Sequence, residues 1–160
     1  MLSYVDLELV KNLAMIVAVG IAAITLVKGV IEYARQGKQK RVEHFLEMRR
    51  KLKEPGKYDK IFALLEDEDD NSKLADISYM MKRDLLGFFE EVALIMNSGL
   101  IRKEVACYMF GYYAIQCKKS NYFWSNVEKN SIWWSLFIHF ASEMEKIEDS
   151  FKFTQKKLRF

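Results

Sequence analysis

Between Lys118 and Trp134 the chain reads KKSNYFWSNVEKNSIWW. This stretch holds three lysines, three asparagines, three tryptophans, one tyrosine and one phenylalanine. Lysines compensate phosphates, and aromatic faces stack on bases at about 1–3 kcal/mol per base. Asparagine side chains bond bidentately to the edge of adenine. The combination suits a nucleotide-like ligand with several phosphates. Lys118, Lys119, Asn121, Tyr122, Trp124, Asn126 and Lys129 are the expected contacts. The competing reading is an ordinary connector, with Trp and Phe in the core and Lys facing solvent. Residue types alone leave both open.

Catalytic chemistry is thinly supplied. The two histidines are His44 and His139. His139 and Glu143 stand four apart and can meet on one helical face, as an oriented base or half a metal site. No second His or Cys lies at ligand spacing, so a zinc or di-iron set lacks ligands. Glu66 to Asp70 is a run of five acids without the alternation or the glycine of a calcium loop. Glu90 and Glu91 are adjacent on a helix and do not converge. No phosphate-binding glycine loop, nucleophile elbow or kinase signature occurs. Cys107 and Cys117 sit among apolar residues, which predicts core thiols. The expectation is a binding protein with no metal and no cofactor, not an enzyme.

The elements that position these residues begin with an apolar run. Leu13 to Val27, LAMIVAVGIAAITLV, is fifteen residues without a charge. At 1.5 Å per residue it covers about 22 Å, short of a hydrocarbon core of about 30 Å. Extension over about 10–31 supplies the length, with Lys11 and Lys28 snorkelling at the ends. Tyr4 and Tyr33 fall where interfacial aromatics are favoured. A cleaved signal peptide would want a basic start, whereas Asp6 and Glu8 precede the run. A buried core helix is the other alternative. Ala14, Ala18, Ala22, Thr25 and Gly29 recur on one stripe, which lets two such helices approach closely in lipid. Basic residues crowd the C-terminal flank, among them Lys28, Arg35, Lys38, Lys40 and Arg41. The positive-inside rule then places the N-terminus outside and the rest in the cytoplasm, where both cysteines stay reduced.

The remainder reads as helices. Residues 35–54 form a basic juxtamembrane helix with Val42, Phe45, Leu46 and Leu52 on its apolar stripe, stopped by Pro55-Gly56. A short helix follows from Tyr58 to Leu65, then the acidic loop, with Ser72 as the expected N-cap. Lys73 to Asn97 carries Leu74, Ile77, Met81, Leu85, Phe88, Val92 and Ile95 on one face, and Asn97-Ser98-Gly99 closes it. Arg102 to Lys119 is the next helix. The last runs from about Asn130 to Lys157, with Trp133, Trp134, Phe137, Ile138, Ala141, Met144, Ile147 and Phe151 facing inward. The basic tail follows from Lys152. One proline and seven glycines disfavour a fold of many short strands. In 160 residues, 51% hydrophobic and 29% charged, there is room for one domain plus an accessory segment. The fold class is therefore all-α: an N-terminal transmembrane segment (1–34), the basic helix (35–54) and a cytoplasmic helical domain (57–160). A net charge of +3 is too small to indicate binding of a DNA duplex.

Residues 84–113 carry a recognisable pattern in Phe88, Phe89, Glu90, Glu91, Gly99, Leu100, Ile101, Phe110, Gly111, Tyr112 and Tyr113. It resembles an uncharacterised bacterial family of small single-pass helical membrane proteins with the motif FFEEVALLV-x-x-GLI…FGYY. No chemistry comes with that likeness. In size and layout the chain also resembles the small membrane effectors associated with type III CRISPR systems. That likeness implies a cytoplasmic domain that binds cyclic oligoadenylate, typically the tetra-adenylate, and a membrane part that impairs the infected cell. It further implies a symmetric homo-oligomer, a tetramer for a four-fold ligand, in the bacterial inner membrane. The alternative expectation is a membrane-tethered scaffold or accessory subunit that docks a protein partner and takes no small ligand.

Overall fold

A computed structural model describes residues 4–67 and 70–150. Every regular element among them is helical. The chain divides into two compact units, 1–40 and 41–160.

The first unit is the start of α1 (Tyr4–Leu52). Within Lys11–Leu52 an 18-residue window has a mean hydropathy of 2.3, and none of it is buried. That one helix is long and apolar enough to cross a membrane. Ala14, Ala18, Ala22, Thr25 and Gly29 are all exposed. The Thr25 hydroxyl donates to the Ile21 carbonyl at 2.9 Å, so the one polar side chain of the run is satisfied within its own helix.

The second unit begins within α1. Phe45, Met48 and Leu52 join the hydrophobic core. The expected stripe placed Leu46 inward, yet it is exposed, and Met48 is buried instead. After Pro55, Gly56 turns the chain at φ +79°, a conformation that suits glycine. Its N–H donates to the Asp59 carboxylate at 2.8 Å, and α2 (Asp59–Glu66) follows.

The predicted cap at Ser72 is wrong. Asn71–Asp76 is a 3-10 turn, Ile77 is extended and buried, and Ser78 caps α3 (Tyr79–Asn97) by accepting from the Met81 N–H. Two serines six residues apart offer the same hydroxyl, and burial of Leu74 and Ile77 decides between them. The other end of α3 closes as its sequence predicts. Gly99 takes φ +71°, and the Leu100 N–H reaches back to the Ile95 carbonyl at 3.1 Å. Gly87 lies inside α3 at a cost of about 1 kcal/mol relative to alanine.

The expected helix Arg102–Lys119 is α4 (Lys103–Ala106), a π segment (Cys107–Gly111) and α5 (Tyr112–Lys119). The final helix starts later than Asn130. Ser131 caps a 3-10 turn at Ile132–Trp134, and α6 runs over Ser135–Ser150. The Phe151–Lys157 part of that expectation, the basic tail, and Glu68 and Asp69 of the acidic run lie outside the described residues.

Aromatic rings from four elements fill the core. Phe89 of α3 lies 5.7 Å from Phe137 and 6.4 Å from Phe140 of α6. Phe110 meets Phe45 at 6.3 Å and Phe88 at 5.8 Å. Centroid separations of 4.5–7 Å are the favourable range for such pairs.

Both cysteines are buried and free. Burial pushes the Cys107 thiol up to about 11 and raises Cys117 as well. The folded thiols therefore hold protons that the unfolded chain, titrating near 9, has already released. Stability from this source is complete below pH 9 and is lost as pH climbs from 9 through 11. Urea titrations across pH 8–11 should show that decline, and a Cys107→Ala/Cys117→Ala variant should show a shallower one. An equal slope in the variant would assign the effect to other groups.

Candidate functional site

The expected contact residues follow the end of α5 into the connector before α6. Lys118 and Lys119 each place an ammonium 2.8 Å from the same Glu145 carboxylate on α6. Those two hydrogen-bonded cations hold that carboxyl down at about 2. Lys129 donates to the Lys118 carbonyl at 2.8 Å and lies 5.7 Å over the Trp124 ring. Trp124 is 7% exposed and donates from Nε1 to the Cys117 carbonyl at 2.8 Å. Its ring packs 5.9 Å from Phe137. Asn126 accepts from Lys82 at 2.8 Å and donates to the Ile77 carbonyl at 3.0 Å. Asn121 and Tyr122 are exposed. The connector thus joins Trp124, Lys129 and the end of α5 in one cluster, with Asn126 tied to α3. Much of its polar chemistry serves the fold.

Lys82 organises this region and was not anticipated from the sequence. It is 0% exposed, yet carries an ammonium. Three acceptors surround it: Asn126 Oδ1 at 2.8 Å, with the Tyr122 carbonyl and Ser125 Oγ at 3.4 Å. Phe123 lies 5.9 Å away on the π face. Burial lowers its pKa, and the nearby Asp76 charge offsets part of that. The signal was its register, because Lys82, Leu85, Phe89, Val92 and Met96 share one buried stripe at three- and four-residue spacing.

Lys129 also belongs to an open cleft of about 460 Å³ around the start of α6. Ser135, His139 and Ser142 form one wall, three and four residues apart on a single helical face. Asn130 and Ser131 supply an amide and a hydroxyl, and Ile132 and Ile138 an apolar side. Among the described residues no carboxylate lines this cleft. Glu143, the carboxylate four residues from His139, is instead paired with Lys103. His139 is exposed. The cleft therefore offers one ammonium, one imidazole, three hydroxyls and an amide with no acid to repel an anion.

The sequence reading placed Trp133 inward on an α-helix. Instead it is 79% exposed, and Ile132 is 80% exposed. The 3-10 geometry of Ile132–Trp134 delays the helix to Ser135 and turns both side chains outward. Among the described residues no group of three or more His, Cys, Asp or Glu could hold a metal ion.

Comparison with family models, curated proteins and solved structures finds no match to the chain.

Proposed function

We propose that this protein is a membrane-anchored sensor whose helical domain binds a phosphate-bearing, nucleotide-like ligand. The observation that supports this is the acid-free cleft at the start of α6, where Lys129 of the connector joins His139 and a row of serines. A cyclic oligonucleotide is the ligand class that the layout suggests, cyclic tetra-adenylate first among them. The anchor is the exposed apolar part of α1, crossing the bacterial inner membrane with its N-terminus outside. The basic flank holds the helical domain in the cytoplasm. The small-residue stripe from Ala14 to Gly29 lets copies pair in lipid, so a symmetric ring of subunits shares one cyclic ligand. A ligand that binds one arrangement more tightly then shifts the assembly and disturbs the membrane in an antiviral response.

The test is a melting curve of the full chain in detergent against cyclic tetra-adenylate, cyclic hexa-adenylate, ATP and inorganic phosphate. A ligand at a hundred times its Kd stabilises by about 2.7 kcal/mol. One cyclic oligonucleotide should raise the Tm, and His139→Glu, at an exposed position, should remove that shift with the starting Tm unchanged. Lys129→Glu should act alike. No shift with any of the four, or an equal shift in His139→Glu, overturns the proposal.

A second reading rests on Ile132 and Trp133, two large apolar side chains held in solvent. It makes the chain a membrane-tethered scaffold for a protein partner. Under that reading Trp133→Ser abolishes partner binding and His139→Glu does not.

A further inference from the structure

A second cleft, of about 440 Å³, opens between the end of α1 and α3 within the helical domain. Its floor is Gly87. This glycine has ordinary helical geometry, and a Cβ built on it would meet nothing within 4 Å. Neither backbone conformation nor packing therefore asks for glycine here, and helix propensity argues against it. What the missing side chain does is leave the floor open. The walls are aromatic. Tyr58 and Phe88 are buried with ring centroids 6.2 Å apart, and Trp134 stands half-buried at the edge.

The rim carries both signs of charge in bonded pairs. The Lys51 ammonium is 3.0 Å from the Glu91 carboxylate, the Arg83 guanidinium is 3.4 Å from Asp84, and the third cation of the rim, Lys57, is 3.2 Å from Glu54 just outside the lining. A simple anion or cation would satisfy one member of each pair and compete with the other. A zwitterion adds a carboxylate beside the cations and an ammonium beside the acids, so each of its charges meets a partner of opposite sign. The volume falls within the range that holds small ligands, and aromatic walls with a few charged groups are the usual make-up of such sites. We propose that the Gly87 cleft binds an aromatic amino acid, ring on the glycine floor and charged groups on the rim. This site is separate from the acid-free cleft and stands whether or not that cleft takes a nucleotide.

Calorimetry on the full chain in detergent tests it, with L-tyrosine, L-phenylalanine and L-tryptophan as probes. Tyramine lacks the carboxylate and 3-(4-hydroxyphenyl)propionate lacks the ammonium. At least one amino acid should bind saturably, and both single-charge analogues of tyrosine should bind at least tenfold more weakly than tyrosine. Gly87→Leu should abolish binding, and Gly87→Ala should weaken it while raising the Tm. No saturable heat with any of the three amino acids overturns the site. Undiminished binding in Gly87→Ala and Gly87→Leu does so too, and equal affinity of the analogues overturns the zwitterion.

Discussion

Phe89→Ala should lower the unfolding free energy of the helical domain by about 3–5 kcal/mol, the loss expected for a buried phenylalanine. The ring is fully buried and stands where α3 meets α6. It touches Phe88 at 5.5 Å and Phe137 at 5.7 Å, neighbours themselves buried and unable to collapse far into the gap. A domain of this size has about 5–15 kcal/mol in total, so the variant stands near the edge of folding. Urea unfolding in fixed detergent reads the change. Leu94→Ala on the exposed side of α3 is the control and should stay within about 0.5 kcal/mol. A loss below about 1 kcal/mol for Phe89→Ala would show that α3 and α6 do not pack as described.

Lys82→Ala should cost about 3 kcal/mol, for a different reason. The substitution removes a charged donor and leaves the Asn126 oxygen and the Tyr122 carbonyl short of a partner. Lys82→Met removes the same costly charge but keeps the buried stem and leaves no cavity, so it should be milder by about 1 kcal/mol or more. Hydrogen exchange should locate the effect in the connector from Asn121 to Val127, with α2 unaffected. The pH dependence carries its own sign. The folded pKa is below the unfolded value near 10.5, so the unfolded chain binds the proton more tightly. This one group therefore adds stability as pH rises between the two values, against the trend set by the thiols. Equal losses in Lys82→Ala and Lys82→Met would mean that the buried stem plays no part and that the whole cost is the lost ammonium.

Much of the architecture was legible in the residues, because helix stops are written in single side chains. Pro55-Gly56 and Gly99 end their helices where they stand, and the charge-free run in α1 shows through composition alone. The starts were harder. Ser72 and Ser78 carry the same cap chemistry, and only the burial of Leu74 and Ile77 separates them. Trp133 went outward because three residues of 3-10 helix preceded α6, a change of pitch that periodicity does not register. The connector is rich in polar and aromatic residue types, but that richness is spent in several directions. Trp124 faces the core, Lys118 and Lys119 hold Glu145, and of the seven expected contacts only Lys129 borders the acid-free cleft. His139, Ser135 and Ser142 come from one face of α6, and spacing along the connector gives no sign of them. Gly87 had no signal either, since a lone glycine in a helix pattern reads only as a weak helix.

The placement of Phe45, Met48 and Leu52 has a consequence for biosynthesis. A ribosome makes α1 first, and the apolar run leaves the exit tunnel while α3 to α6 are still untranslated. The core cannot close until α6 supplies Phe137 and Phe140, and it closes around the last turns of α1. The apolar run is therefore complete before the helical domain exists to compete for it. A translation product that starts after Leu52 would carry the connector and both clefts' later residues, yet would lack three of the side chains its core is built on.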